Sequence, residues 1–277
     1  MTGLITGPVL YYEWAGGKMW QIILMLLQFI RIGLVILVLV SDIWMSSKNS
    51  YTMDRYNIFN QVHKGLRAFL YETGMQVQQT DFTREQEAVR AQESIGEALY
   101  CFNQHILHVE RFIFPYVIAY HPQLIGNMKQ QYQANTIQAQ KLRGAMNAYC
   151  HAVDAREKAA AGKLILKAFT SFLVTHLDCM TREDSLLNSL LWRYYNDAEL
   201  LGLEKEIVGK LPARDLAMLS KWVIRGMNNA EIIGWLRAIE KTCITAIFSS
   251  FFNSAEKELS AYRWQTIQEA LAEGTEM

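Results

Sequence analysis

Between residues 56 and 77, apolar side chains recur at Ile58, Phe59, Val62, Leu66, Phe69 and Leu70. That spacing lays them along one face of an α-helix. Residues 79–82 break the pattern, and Thr83 with Gln86 has the look of a capping box opening a second helix. That helix is expected to run through Phe114 and stop near Pro115, because proline removes a hydrogen-bond donor and crowds the preceding turn. His121-Pro122 marks the next start, and residues 124–149 form a third, glutamine-rich helix. Residues 154–162 are expected as a connection and 163–195 as the fourth helix. Residues 197–277 read as a further helical extension, with a turn and helix start near Leu211-Pro212. Long helices with short connections predict an all-α chain whose residues 54–197 form an antiparallel four-helix bundle. Residues 198–277 are then an appended helical segment, and 1–44 a hydrophobic leader.

The leader has its own pattern. Residues 19–40 are almost uninterruptedly apolar and match the length of about 20 residues that a helix needs to span a bilayer. Arg31 falls near the middle, at a cost of roughly 2.5–3.5 kcal/mol on insertion scales, which the surrounding Leu, Ile and Val offset. Gln21, Gln28 and Arg31 fall toward one side. No basic cluster precedes the run and no A-x-A site follows it, so it does not read as a cleaved signal peptide. Lys48 and Arg55 after the run favour a single-pass membrane protein with a cytoplasmic C-terminal body. Translation from Met45 would instead give a soluble cytoplasmic protein.

Composition narrows the function. Hydrophobic residues make up 51% of the chain, enough for a substantial core, and 27 basic residues balance 27 acidic ones. A chain with no net field has no general attraction for nucleic acid. Four cysteines, at 101, 150, 179 and 243, form no C-x-x-C pair and read as reduced thiols rather than a disulfide framework. No P-loop, G-x-G-x-x-G or G-x-S-x-G occurs, so nothing points to a nucleotide-dependent or hydrolytic enzyme.

The chemistry concentrates in residues 175–192. On a helix there, His176, Cys179 and Glu183 share one stripe, with Leu173, Leu177, Met180, Leu187, Leu190 and Leu191 as apolar neighbours. His63 on the first helix and His105 on the second are the other candidates, because four-helix bundles hold metals through His and carboxylate side chains from facing helices. The segments VHKGLRAFL around His63, HILHVERFIFP around His105 and HLDCMTREDSLLNSLLWRYYNDAEL from His176 resemble the hemerythrin-like (HHE cation-binding) family over roughly residues 54–200. The resemblance implies a four-helix bundle with a non-haem di-iron centre held by histidines and two bridging carboxylates, serving oxygen binding, redox or iron sensing. His63, His105 and Glu183 match ligand positions. The carboxylate expected after His105 is Val109, with Glu110 one residue late and about 100° round the helix. No histidine stands on the third helix, where Asn135 fills a replaced position, and Cys179 replaces a histidine on the fourth. With Glu183 the one carboxylate in register, the expectation is a single iron held by His63, His105, Cys179 and Glu183. Zinc also suits such a ligand set, and His108, Glu110 and His176 are weaker candidates. The alternative is a metal-free scaffold or regulatory interaction protein in which the same residues form a buried hydrogen-bonded cluster.

Residues 220–239 outline two helices around a Gly-x-Asn-Asn turn. They read as a neutral hairpin or, with Glu231, Arg237 and Lys241 on the second helix, as a DNA-reading helix-turn-helix. The thin basic endowment favours the hairpin. The aromatic residues Phe248, Phe251, Phe252 and Trp264 are expected to dock the extension onto the bundle or onto a second copy of the chain.

Overall fold

The computed structural model describes residues 55–242 and 245–273; the apolar segment 19–40 lies outside them. Every described element is helical: α1 (Asn60–Gln79), α2 (Glu85–His108), a π-turn (Val109–Ile113), α3 (Phe114–Ile118), α4 (Pro122–His151), α5 (Ala155–Arg182), a second π-turn (Glu183–Leu187), α6 (Asn188–Tyr194), α7 (Asp197–Gly209), α8 (Ala213–Gly226), α9 (Asn229–Thr242), α10 (Thr245–Glu258) and α11 (Ala261–Glu273). No strand occurs among the described residues. The all-α expectation therefore holds.

Several boundaries differ from the sequence reading, each for a local reason. Helix α2 is not opened by a Thr83–Gln86 capping box. Instead Asp81 Oδ1 accepts from the Thr83 N–H and hydroxyl, and Glu87 accepts from the Asp81 N–H. The 154–162 connection is helical from Ala155, because Asp154 caps the helix by accepting from the Glu157 N–H at 2.8 Å. The second helix does not stop at Pro115 either. The wider π-turn places Pro115 in the first turn of the resumed helix, where a missing N–H costs little. The start at Pro122 stands as read.

Three cores result. Leu66, Phe69 and Leu70 of α1 meet Ile95, Leu99 and Phe102 of α2, Leu142 of α4, and Ile165, Phe169 and Phe172 of α5. Ile58 and Phe59 join Val109, Ile113, Phe114, Tyr132, Cys179, Leu187 and Leu191 in a second cluster at the other end of the same helices. The stretch Ala155–Tyr194 is apolar and long enough to cross a membrane, and its Ile165, Phe169, Phe172, Met180 and Leu187 are core residues of these clusters.

The third core belongs to the C-terminal extension, where Ile224, Ile232, Ile233, Leu236, Phe251, Ala255, Trp264 and Ile267 pack together. The aromatic residues Phe248, Phe251, Phe252 and Trp264 thus build this core instead of docking it. Docking falls to α8, which lies against α1. A side chain at Gly226 would run into the Lys64 carbonyl, and one at Gly65 would come within 2.9 Å of the Val223 nitrogen, so glycine permits the close backbone approach. Trp222 stacks on Phe69 at 4.2 Å between centroids, and Arg225 pairs with Glu72 and Glu258. On α9, Glu231 caps its own helix with Asn228 and pairs with Lys64, while Arg237 donates to the Ala270 carbonyl. The apolar residues of the would-be reading helix are buried, as a packed hairpin requires.

Candidate metal centre

His63 sits in the first turn of α1 on the stripe that carries Leu66 and Leu70, so the helix turns it inward with no exposed surface. His105 occupies the last turn of α2, just before the first π-turn, and Glu183 opens the second π-turn. Both helices that bring these ligands in are irregular at that level, and π-turns commonly accompany functional sites. The His63 Nε2 and the His105 Nε2 each lie 2.9 Å from the same oxygen, Glu183 Oε2. The three donor groups lie within 4.8 Å of one another. Phe59 stacks on the His63 ring at 5.0 Å and closes it off.

Around this trio stands a layer of hydrogen bonds. Asp184 Oδ1 faces His63 Nδ1 at 2.8 Å, and Arg67 donates to Asp184 Oδ2 at 2.6 Å. A carboxylate can only accept, so Nδ1 of His63 donates its proton to Asp184 and leaves Nε2 to face Glu183. Nε2 meets Glu183 Oε2 out of line for a hydrogen bond and has no hydrogen-bond partner. On the far side of Glu183, Oε1 accepts from the Tyr132 hydroxyl at 2.5 Å, and the Cys179 thiol lies 3.7 Å away.

The electrostatics follow from burial against charge. Burial alone would raise the Glu183 carboxyl, but His105 and His63 outweigh it and hold it well below the usual carboxylate range. Burial disfavours a charged His63, yet Asp184 and Glu183 beside it raise its pKa above the ordinary value. Burial likewise opposes ionisation of Asp184, and His63 with Arg67 keeps it ionised. Burial, then Glu183, pushes the Tyr132 phenol and the Cys179 thiol up, so both stay protonated donors.

Of the residues singled out from the sequence, His63, His105 and Glu183 converge. Cys179 is close, but through a protonated thiol aimed at the far oxygen of Glu183. His176 is buried among Phe102 and Phe172, with ring centroids at 4.5 and 4.2 Å, and burial pushes its pKa down to about 3. His108 and Glu110 stand outside the trio: His108 tilts over Phe112, and Glu110 falls in the first π-turn. Val109 is packing, 3% exposed. Asn135 is fully buried with both amide atoms unpartnered, as is Asn188.

Sequence reasoning missed Asp184, Arg67 and Tyr132. Arg67 stands one helical turn after His63 and Asp184 directly follows Glu183, so the first two had a local signal. Tyr132 had none beyond lying one turn before Asn135. Compared with known proteins, the chain matches no family model, no curated sequence and no solved structure.

Proposed function

We propose that the protein binds one divalent transition-metal ion, iron foremost, through His63 Nε2, His105 Nε2 and Glu183 Oε2. The four long helices (α1, α2–α3, α4 and α5–α6) would then form an antiparallel bundle of the hemerythrin-like kind with a reduced site. Two imidazoles and one carboxylate are the ligand set of mononuclear non-haem iron sites with open positions. Donor separations of 2.9 Å suit neighbouring ligands of an octahedral ion, which at bond lengths of about 2.1 Å stand about 3.0 Å apart. The observation that carries the reading is the buried Nε2 of His63, without a hydrogen-bond partner and 2.9 Å from an ionised carboxylate oxygen. A bare imidazole nitrogen and a carboxylate oxygen at that distance repel unless a proton or a metal cation lies between them.

The surrounding residues do what a metal site asks of its neighbours. Asp184 fixes the His63 tautomer and Arg67 fixes Asp184, the arrangement that orients metal-ligating histidines elsewhere. Phe59 and the apolar cluster around it exclude water. Bound iron with open positions would supply oxygen or redox responsiveness, so sensing fits better than turnover. A metal-free regulatory scaffold remains the second reading, favoured by the well-formed contact of His105 Nε2 with Glu183. The apolar run 19–40 supports a membrane anchor with this body in the cytoplasm, or a soluble form from Met45.

Metal analysis and calorimetric titration of the full-length protein with ferrous, cobaltous and zinc ions test the reading. One ion per chain is expected, lost in Glu183→Ala. Purified protein that neither retains nor takes up any of the three would overturn it.

A further inference from the structure

The two oxygens of Glu183 face different company. Oε2 meets both imidazoles, and Oε1 meets the Tyr132 hydroxyl at 2.5 Å with the Cys179 thiol beyond it. Tyr132 is 3% exposed and lies flat against Phe114, with centroids 5.6 Å apart and planes 4° apart. Phe114 is the first residue after the π-turn that follows His105, so the phenol is held by the same irregular helix that brings in a ligand.

We infer that Tyr132 is a positioning residue that confines Glu183 to one coordinating oxygen and thereby limits the centre to a single metal ion. A carboxylate that bridges two cations through its two oxygens, or chelates one, needs both oxygens turned to metal, and a strong hydrogen bond that holds one of them away from the ion disfavours both modes. A short O–H···O bond to an ionised carboxylate is among the stronger neutral-to-charged hydrogen bonds. It is also protected from water, since both partners are buried. Tyr132 therefore decides the geometry from the side opposite the metal. Beyond the Tyr132 hydroxyl, the neighbour of Oε1 is the Cys179 thiol at 3.7 Å, a protonated group that offers no competing charge.

This inference rests on the single-metal reading above, and its test separates the two. Infrared difference spectra of the full-length protein, cobalt-loaded minus metal-free, report the split between the asymmetric and symmetric stretches of Glu183. The band pair is assigned by its loss in Glu183→Gln. One-oxygen coordination widens the split, and two-oxygen coordination narrows it. The parent should show the wide split and one cobalt per chain even with cobalt in excess. Tyr132→Phe, which keeps the ring against Phe114, should show the narrow split with circular dichroism unchanged. An unchanged split in a folded, cobalt-loaded Tyr132→Phe would overturn the inference and leave the metal reading standing. So would a parent that takes two ions at this centre or shows the narrow split. A parent that takes no cobalt overturns the metal reading, and this inference with it. If Tyr132→Phe does not fold, the split and stoichiometry of the parent alone still decide.

Discussion

The two ends of the four long helices differ in kind. At one end Phe69, Leu70, Val77, Ile95, Leu142, Ile165 and Phe169 pack in regular α-helices, with Thr73 the buried polar side chain at that end. At the other lie both π-turns and the buried His63, Asn135, Glu183 and Asn188. Buried polar groups cost stability unless every lone pair and proton finds a partner, and here several atoms have none. The apolar end offsets that cost. Its buried apolar packing is what lets the other end hold an ionised acid and two imidazoles out of water. Stability and chemistry are thus segregated along one set of helices.

That contrast can be broken from either side. The largest effect is expected at Glu183. Glu183→Ala should abolish metal uptake in a titration and cost about 3–5 kcal/mol in denaturant unfolding, because two imidazoles and the Tyr132 hydroxyl lose their common partner. Phe169→Ala, in the apolar end, should cost a similar about 3–5 kcal/mol while leaving one metal per folded chain. If it also removed metal binding, the two ends would not be separable. Asp184→Asn should keep the fold and weaken metal affinity about 10- to 100-fold, the usual effect of losing a partner that orients a ligating histidine. Titration calorimetry reads that change directly.

The smallest effect is an acid one, and it sits at the boundary between the ends. His176 is neutral and buried with its pKa pushed down to about 3, so between that value and the ordinary one the unfolded chain binds a proton that the folded chain does not. Its contribution is fully present above about pH 6.5 and is lost as the pH falls. The loss is about 2 kcal/mol by pH 5. His176→Phe should flatten the stability curve over that window, measured by chemical denaturation at pH 7 and pH 5. An unchanged slope would show that His176 escapes to solvent and takes its proton in the folded state.

Much of this organisation was legible in the chain. The stripe from Ile58 to Leu70, the start at Pro122 and the polar positions 63, 105 and 183 amid apolar neighbours all follow from spacing alone, and the structure brings those three side chains together. Reading failed where a few local hydrogen bonds outweighed the pattern. Asp154 extended a helix through the supposed connection. A π-turn carried the chain through Pro115. The aromatic cluster around Phe251 and Trp264 looked like a docking face but built its own core, because the paired glycines at 65 and 226 gave α8 a closer seat on α1.

The chain by itself determined that it would be helical, where most helices would lie, and which polar groups each would turn inward. Those are consequences of periodicity, which acts within one element. Only the tertiary structure decided which oxygen of Glu183 meets which imidazole, that Asp184 and Arg67 stand behind His63, and that Tyr132 holds the opposite oxygen. Those outcomes depend on how each helix is rotated about its axis and on the extra residue each π-turn inserts. Neither quantity is local, since both are settled when side chains from distant parts of the chain compete for the same small volume.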